Sequence, residues 1–149
     1  MEYGAGLGSF TYPALQRFKE GGQRFFAIEI NPSFVKHLRE ECPELSLHEG
    51  CVSRVAEFCQ LEGVAAVDGV ISGLPWAAFS EELQNKLLDP MVEIMAEGGR
   101  FVTFAYIHAL MFPAAKRFRR KLESKFSEVR LTPIVWRNLP PALCYVAKK

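Results

Sequence analysis

Hydrophobic and polar positions along the chain alternate between two rhythms. Short apolar runs of strand length lie at 25–30, 45–48, 66–72 and 100–106, and the segments between them repeat their apolar residues every three or four positions. The spacing predicts a helix over 12–19, with Leu15 and Phe18 inward, Gln16, Arg17 and Lys19 in water, and Gly21-Gly22 as its stop. Asn31-Pro32 is a side-chain cap followed by proline at the first helical position, opening a helix that buries Phe34, Val35 and Leu38 and ends before Pro43. Val55, Phe58 and Leu61 mark a third helix, stopped at Gly63. Ser80 caps a long fourth one, with Glu81 and Glu82 in its first turn, a buried stripe of Leu83, Leu87, Met91, Ile94 and Met95, a kink expected at Pro90, and an end at Gly98-Gly99. A fifth helix is expected over 111–126, then strands over 129–136 and 142–147 with Arg137-Asn138-Leu139-Pro140-Pro141 between them.

Strands alternating with helices, then two strands with no helix between them, describe an α/β fold: a mostly parallel sheet with helices on both faces and an antiparallel hairpin at the C-terminal end. Ligands in such sheets bind beyond the carboxyl ends of the central strands. Gly4 to Gly8, Glu29 and Ser72 to Trp76 all fall at strand ends of this kind, so they are expected to share one crevice.

The chain of 149 residues reads as one domain, 1–149, with no repeat, linker or low-complexity tract. Its net charge of +1 argues against a protein built mainly to coat nucleic acid or an anionic membrane. Cys42, Cys51, Cys59 and Cys144 form no CxxC pair and have no histidine at zinc spacing, so they read as reduced thiols of a cytoplasmic protein with no metal site. No apolar run is long enough to span a bilayer. Only Met1 to Tyr3 precede the glycine-rich stretch, which implies either a stub in place of the first, central strand or a chain shortened at its N-terminus.

Glu2-Tyr3-Gly4-Ala5-Gly6-Leu7-Gly8 sets glycines at alternate positions after an acid, which lets the backbone turn sharply at a strand end and bring its N–H groups near a ligand. Glu29 closes the strand Phe25-Phe26-Ala27-Ile28, 21 residues after Gly8, where a carboxylate can accept hydrogen bonds from both ribose hydroxyls of a nucleoside. Together these stretches resemble the class I S-adenosylmethionine-dependent methyltransferases over essentially the whole chain. The resemblance implies a Rossmann-like seven-stranded sheet in three α/β/α layers. It implies S-adenosylmethionine as cofactor, with S-adenosylhomocysteine as product, held by Glu2, Gly4, Ala5, Gly6, Gly8, Glu29, Ile30, Cys51, Val52 and Ser72. At Gly50-Cys51-Val52 the family usually carries an aspartate for the adenine amine. Cys51 is a poor acceptor, so adenine is expected to rest on the backbone around Val52.

Val70-Ile71-Ser72-Gly73-Leu74-Pro75 and Val135-Trp136-Arg137-Asn138-Leu139-Pro140-Pro141-Ala142 resemble the bacterial phospholipid N-methyltransferases, which methylate phosphatidylethanolamine. That implies a small-molecule or lipid acceptor bearing an amine, bound near Gly73, Leu74, Pro75 and Trp76, and peripheral contact with an anionic membrane at the inner membrane surface. The amphipathic segment with which those enzymes begin is absent ahead of Gly4. Methyl transfer from a sulfonium needs mainly alignment and an unprotonated amine. Tyr106 and His108 are the candidates to take the proton, against the plainer reading of a strand-end tyrosine and a solvated loop histidine. Trp76 offers a ring face to a methylated ammonium, or else fills the core at a strand-to-helix turn. Trp136, within a strand, is expected in the core, and the basic run Lys116 to Lys121 is either a solvated helix face or a membrane contact. A methyltransferase acting on RNA or protein shares the cofactor site, but Ser72 replaces the amide of the Asn-Leu-Pro-Tyr turn of RNA adenine dimethyltransferases, and the charge lacks a basic footprint. A non-catalytic cofactor-binding remnant is the third possibility.

Overall fold

The computed structural model describes residues 1–149, the side chain of Lys19 aside, so the expectation that Lys19 points to water lies outside the described residues. Seven strands and five helices alternate as β1 (Glu2–Tyr3), α1 (Thr11–Glu20), β2 (Phe26–Glu29), α2 (Pro32–Glu41), β3 (Ser46–Glu49), α3 (Val55–Leu61), β4 (Val67–Ser72), α4 (Glu81–Ile94), β5 (Met95–Tyr106), α5 (Pro113–Lys125), β6 (Glu128–Leu131) and β7 (Ala142–Lys148). The sheet order is β3-β2-β1-β4-β5-β7-β6, parallel except where β7 runs against β5 and β6. Strand order reverses beside β1, which brings the ends of β1, β2 and β4 together.

Short as it is, β1 is fully held. Glu2 and Tyr3 pair with Ala27 and Ile28 on one side and with Ile71 and Ser72 on the other. Gly4 N–H donates to the Ile28 carbonyl at 2.9 Å, Ile71 N–H to Met1 at 2.9 Å, and Gly73 N–H to Tyr3 at 3.2 Å. Ala27, Leu38, Cys42 and Leu45 form the core between the sheet and the α1/α2 side. On the other face Val55, Phe58, Leu88, Met91, Phe101, Phe118, Leu122 and Tyr145 pack under α3, α4 and α5, so the fold has the expected three layers. The predicted caps are present, with Asn31 accepting from Ser33 N–H and Ser80 from Leu83 N–H.

Three expectations are corrected. Helix α4 ends at Ile94, well before Gly98-Gly99, and Met95 opens β5 opposite Val67. Hydrogen bonds from Gly98 N–H to the Lys149 carbonyl and from Lys149 N–H to the Gly99 carbonyl hold that stretch in the sheet. Strand β6 stops at Leu131, because the Thr132 hydroxyl takes the Cys144 N–H at 2.9 Å and Pro133 has no N–H to continue the ladder. Trp136 therefore lies outside any strand and is 69% exposed, not in the core.

Candidate active site

The glycine-rich turn begins where β1 ends. Gly4 has φ +73°, a conformation that favours glycine, and a Cβ there would stand 2.5 Å from Leu74 Cδ2, so a side chain would also displace Leu74. Gly8 has φ +88°, and a Cβ would sit 2.4 Å from the Tyr12 ring. The turn is clamped to the end of β2. Gly6 N–H donates to Glu29 Oε2 at 2.8 Å, and Asn31 N–H to Glu29 Oε1 at 2.8 Å. Each of these oxygens keeps lone-pair capacity for a ribose hydroxyl. Gly50 N–H donates to the Glu29 carbonyl at 2.9 Å, tying the end of β3 to the same corner. There Cys51 is half-buried with its Sγ accepting from the Ser53 hydroxyl at 3.1 Å, Val52 turns its side chain into the core, and Ile30 stands exposed.

Glu2 is fully buried under the turn. Its Oε2 accepts from the Thr11 hydroxyl at 2.7 Å, whereas its Oε1 is buried without a partner. Burial raises the Glu2 carboxyl to about 7, against the pull of the Thr11 hydrogen bond. A buried carboxylate oxygen with no donor fits the ammonium of a methionine moiety, and backbone glycines cleared of side chains fit its close approach. The residues present thus suit S-adenosylmethionine, which when bound supplies an electrophilic methyl group on sulfur.

Beside the turn opens a cleft of about 520 Å³. One wall is the glycine turn itself with Gly73, and the other is built from Phe10, Phe104, Tyr106, Val135, Asn138 and Cys144. Phe10 and Phe104 lie 5.9 Å apart between ring centroids, Phe104 and Tyr106 5.4 Å, and Tyr106 stacks on His108 at 5.7 Å. Of the two proton-accepting candidates, Tyr106 lines the cleft and His108 stacks behind it, exposed to solvent.

The turn after β4 corrects two further expectations. Trp76 is 2% exposed, stacked on Phe118 at 5.8 Å, with its Nε1–H donating to Ser72 Oγ at 2.9 Å. With its ring in the core, Trp76 has no face to offer an ammonium, and it is neither a catalytic nor an acceptor-binding group. Ser72 is also fully buried. Its hydroxyl accepts from Trp76 and Leu74, and its carbonyl from the Thr103 hydroxyl at 3.0 Å, so it shapes the turn instead of touching a cofactor. Gly73 lines the cleft, Leu74 lies under Gly4, and Pro75 points to solvent.

Phe10, Phe104 and Asn138 are cleft residues that sequence reasoning did not single out. Phe104 alternates with the buried Phe101 and Thr103 along β5, a signal the strand pattern contained. Asn138 sits in the stretch that carried the family resemblance. Its Nδ2 donates to the Pro140 carbonyl at 2.7 Å, which leaves its Oδ1 free to accept from a ligand amine.

No family model matches the chain. An ornithine lipid N-methyltransferase of Singulisphaera acidiphila is 32% identical over 151 residues, covering 99% of this chain and 74% of that protein. Among solved structures, the glycopeptide N-methyltransferase MtfA complexed with S-adenosylmethionine superposes with TM-score 0.75 at 16% identity, covering 98% of this chain and 84% of that one. The magnesium protoporphyrin IX methyltransferase of Synechocystis PCC 6803 gives TM-score 0.70 at 12% identity over 99% of this chain and 68% of its own. A methyltransferase from Archaeoglobus fulgidus gives TM-score 0.69 at 16% identity over 99% and 84%. The curated relative establishes the family and the solved structures the fold, and both agree with the glycine turn clamped to Glu29: the chain belongs to the lipid N-methyltransferase family of class I S-adenosylmethionine-dependent methyltransferases.

Proposed function

We propose that this enzyme methylates the amine of a membrane lipid headgroup, such as phosphatidylethanolamine or an ornithine lipid. The observation that carries the reading is the cleft beside the glycine turn, which is walled by Phe10, Phe104 and Tyr106 and holds few polar groups. Such a wall excludes water from around an amine and accommodates the apolar part of a lipid next to its headgroup. The relative's name, an ornithine lipid N-methyltransferase, points to the same acceptor chemistry.

In this reading the chain's own groups divide the task. Gly4 to Gly8, Glu2 and Glu29 hold the cofactor; Asn138 Oδ1 accepts a hydrogen bond from the acceptor amine and orients its lone pair. The exposed Tyr106 hydroxyl, on the same wall, relays the proton that the amine must lose before it attacks: its oxygen takes that proton as its own O–H proton passes to water. Most of the acceleration then comes from alignment. The test is a panel of acceptors offered with labelled S-adenosylmethionine: vesicles containing phosphatidylethanolamine or ornithine lipid, an RNA pool and a protein pool. The proposal expects label in the lipid extract alone, as methylated amine. Label confined to RNA or protein overturns it.

A further inference from the structure

We propose that the loop Pro133–Pro141, together with Met111 and Phe112, is the surface on which the enzyme docks onto an anionic lipid bilayer, with Trp136 and Leu139 inserted among the headgroups. The proposal rests on the lipid-acceptor reading and names where the lipid surface meets the protein.

All eight residues from 133 to 140 are exposed, and four of them are large and apolar. Leu139 is 96% exposed and Trp136 69%, with Val135 and Ile134 alongside. Across the end of the sheet, Met111 is 73% and Phe112 59% exposed. The end of the loop is joined to the start of the short turn that carries Met111, since Ile107 N–H donates to the Pro141 carbonyl at 3.0 Å and Tyr106 pairs with Ala142. So many apolar side chains at one end of a molecule mark an interaction site. Its continuity with the cleft gives it a purpose, because Val135 and Asn138 of the same loop line the cavity where the acceptor is proposed to bind.

The charge around it identifies the partner. The docking segments themselves carry Arg137 and no acid. Arg137 sits between Trp136 and Asn138, and Lys116, Arg117 and Arg120 follow Phe112 along α5. Among the described residues none of these four is in an ion pair, so they are free to meet lipid phosphates. A second groove of about 520 Å³ between α4 and α5 carries Arg117 and Arg120 beside Lys121 and Lys125, which are paired with Glu81 and Asp89.

The loop backbone also suits a shallow interfacial position. Pro133, Pro140 and Pro141 have no N–H, and those of Val135 and Asn138 donate within the loop region, to Ala142 and Val135. Five of nine residues therefore bring no unpaired donor into the interface. Tryptophan beside arginine is the pairing that settles at headgroup depth.

The sequence has two tryptophans, and because Trp76 is buried, fluescence changes on adding vesicles report Trp136. The full chain is mixed with vesicles of phosphatidylethanolamine and phosphatidylglycerol, and with phosphatidylcholine vesicles as the uncharged control. The expected result is a blue shift of emission and co-sedimentation with the anionic vesicles only. Trp136→Glu combined with Leu139→Glu should lower sedimentation and methylation of vesicle lipid on the order of tenfold. The same variant should methylate a monomeric short-chain phosphatidylethanolamine like the parent and bind S-adenosylhomocysteine unchanged. An unshifted emission, or a double variant as active on vesicles as the parent, overturns the docking surface. So does a lipid-free dimer that buries Trp136 and ignores vesicles. If the parent binds vesicles through Trp136 yet methylates neither lipid, the surface stands and the acceptor reading falls.

Discussion

Trp76 Nε1–H donates to Ser72 Oγ at 2.9 Å, and this bond fixes the turn that follows β4 from inside the protein. Ser72 in turn is held through Thr103 of β5, and Gln84 of α4 donates to the Trp76 carbonyl at 2.7 Å. The turn delivers Gly73 to the cleft because Ser72 before it and Trp76 after it are anchored in the core. Trp76→Ala should cost about 3–5 kcal/mol of stability, the range for emptying a buried aromatic site, whereas Trp76→Phe, which keeps the stack on Phe118, should retain cofactor binding and methyl transfer. Thermal melts and turnover of the two variants check this; a folded Trp76→Phe protein that binds its acceptor much more weakly would restore Trp76 to the site.

Burial holds the Glu2 carboxyl at about 7, above the ordinary 4.5. A group that takes its proton more readily folded than unfolded stabilises the fold at low pH and loses that contribution as pH rises, here between about 4.5 and 7. Glu2→Gln cannot ionise, so it should match the parent near pH 4 and exceed it by up to about 3 kcal/mol at pH 8. Burial lowers the Met1 amine to about 6, which acts in the opposite direction between about 6 and 8; because the Glu2 charge pulls that amine back up, Glu2→Gln also leaves it lower. Melting temperature against pH reads the divergence of the two proteins as pH rises. The same variant should bind S-adenosylhomocysteine more weakly, since a neutral amide attracts an ammonium less than a carboxylate does.

Gly4→Ala places a methyl group 2.5 Å from Leu74 Cδ2 at φ +73°. The strain of such a site is about 1–3 kcal/mol. We expect lowered stability and a cofactor affinity that falls further than stability does, because the displaced turn is the proposed binding element. Denaturant titration beside calorimetry separates the two effects.

Cys51→Asp offers a strong acceptor where Cys51 Sγ now takes only the Ser53 hydroxyl. Tighter binding of S-adenosylhomocysteine is expected. Unchanged affinity in the folded variant would mean that adenine is held elsewhere.

Much of this was legible from residues alone. Asn31, Pro32 and Ser80 announce their helices because caps and first-turn prolines act locally, and the glycine turn with Glu29 announces itself because close backbone approach tolerates few other residues. What escaped depends on tertiary context. Met95 looks helical by period but is drawn into β5 opposite Val67. Trp136 looks like core in an apolar run, yet Thr132 and Pro133 end β6 before it. Trp76 and Ser72 occupy a motif-like turn, and only the packing of Phe118 and Thr103 reveals that both face inward. Phe10, Phe104 and Asn138 meet only once β5 and the β6–β7 loop lie side by side.

Titration calorimetry of S-adenosylhomocysteine into the parent and Glu29→Ala tests directly whether the cofactor is held where Gly6 meets Glu29. Glu29 clamps the Gly6 and Asn31 N–H groups and is proposed to accept from the ribose hydroxyls, so its removal should cost about 1.5–3 kcal/mol of binding, the range for hydrogen bonds to charged groups. That is a loss of roughly tenfold to a hundredfold in affinity. Equal affinity in a variant whose melting curve shows it folded would contradict the assignment of this corner as the cofactor site.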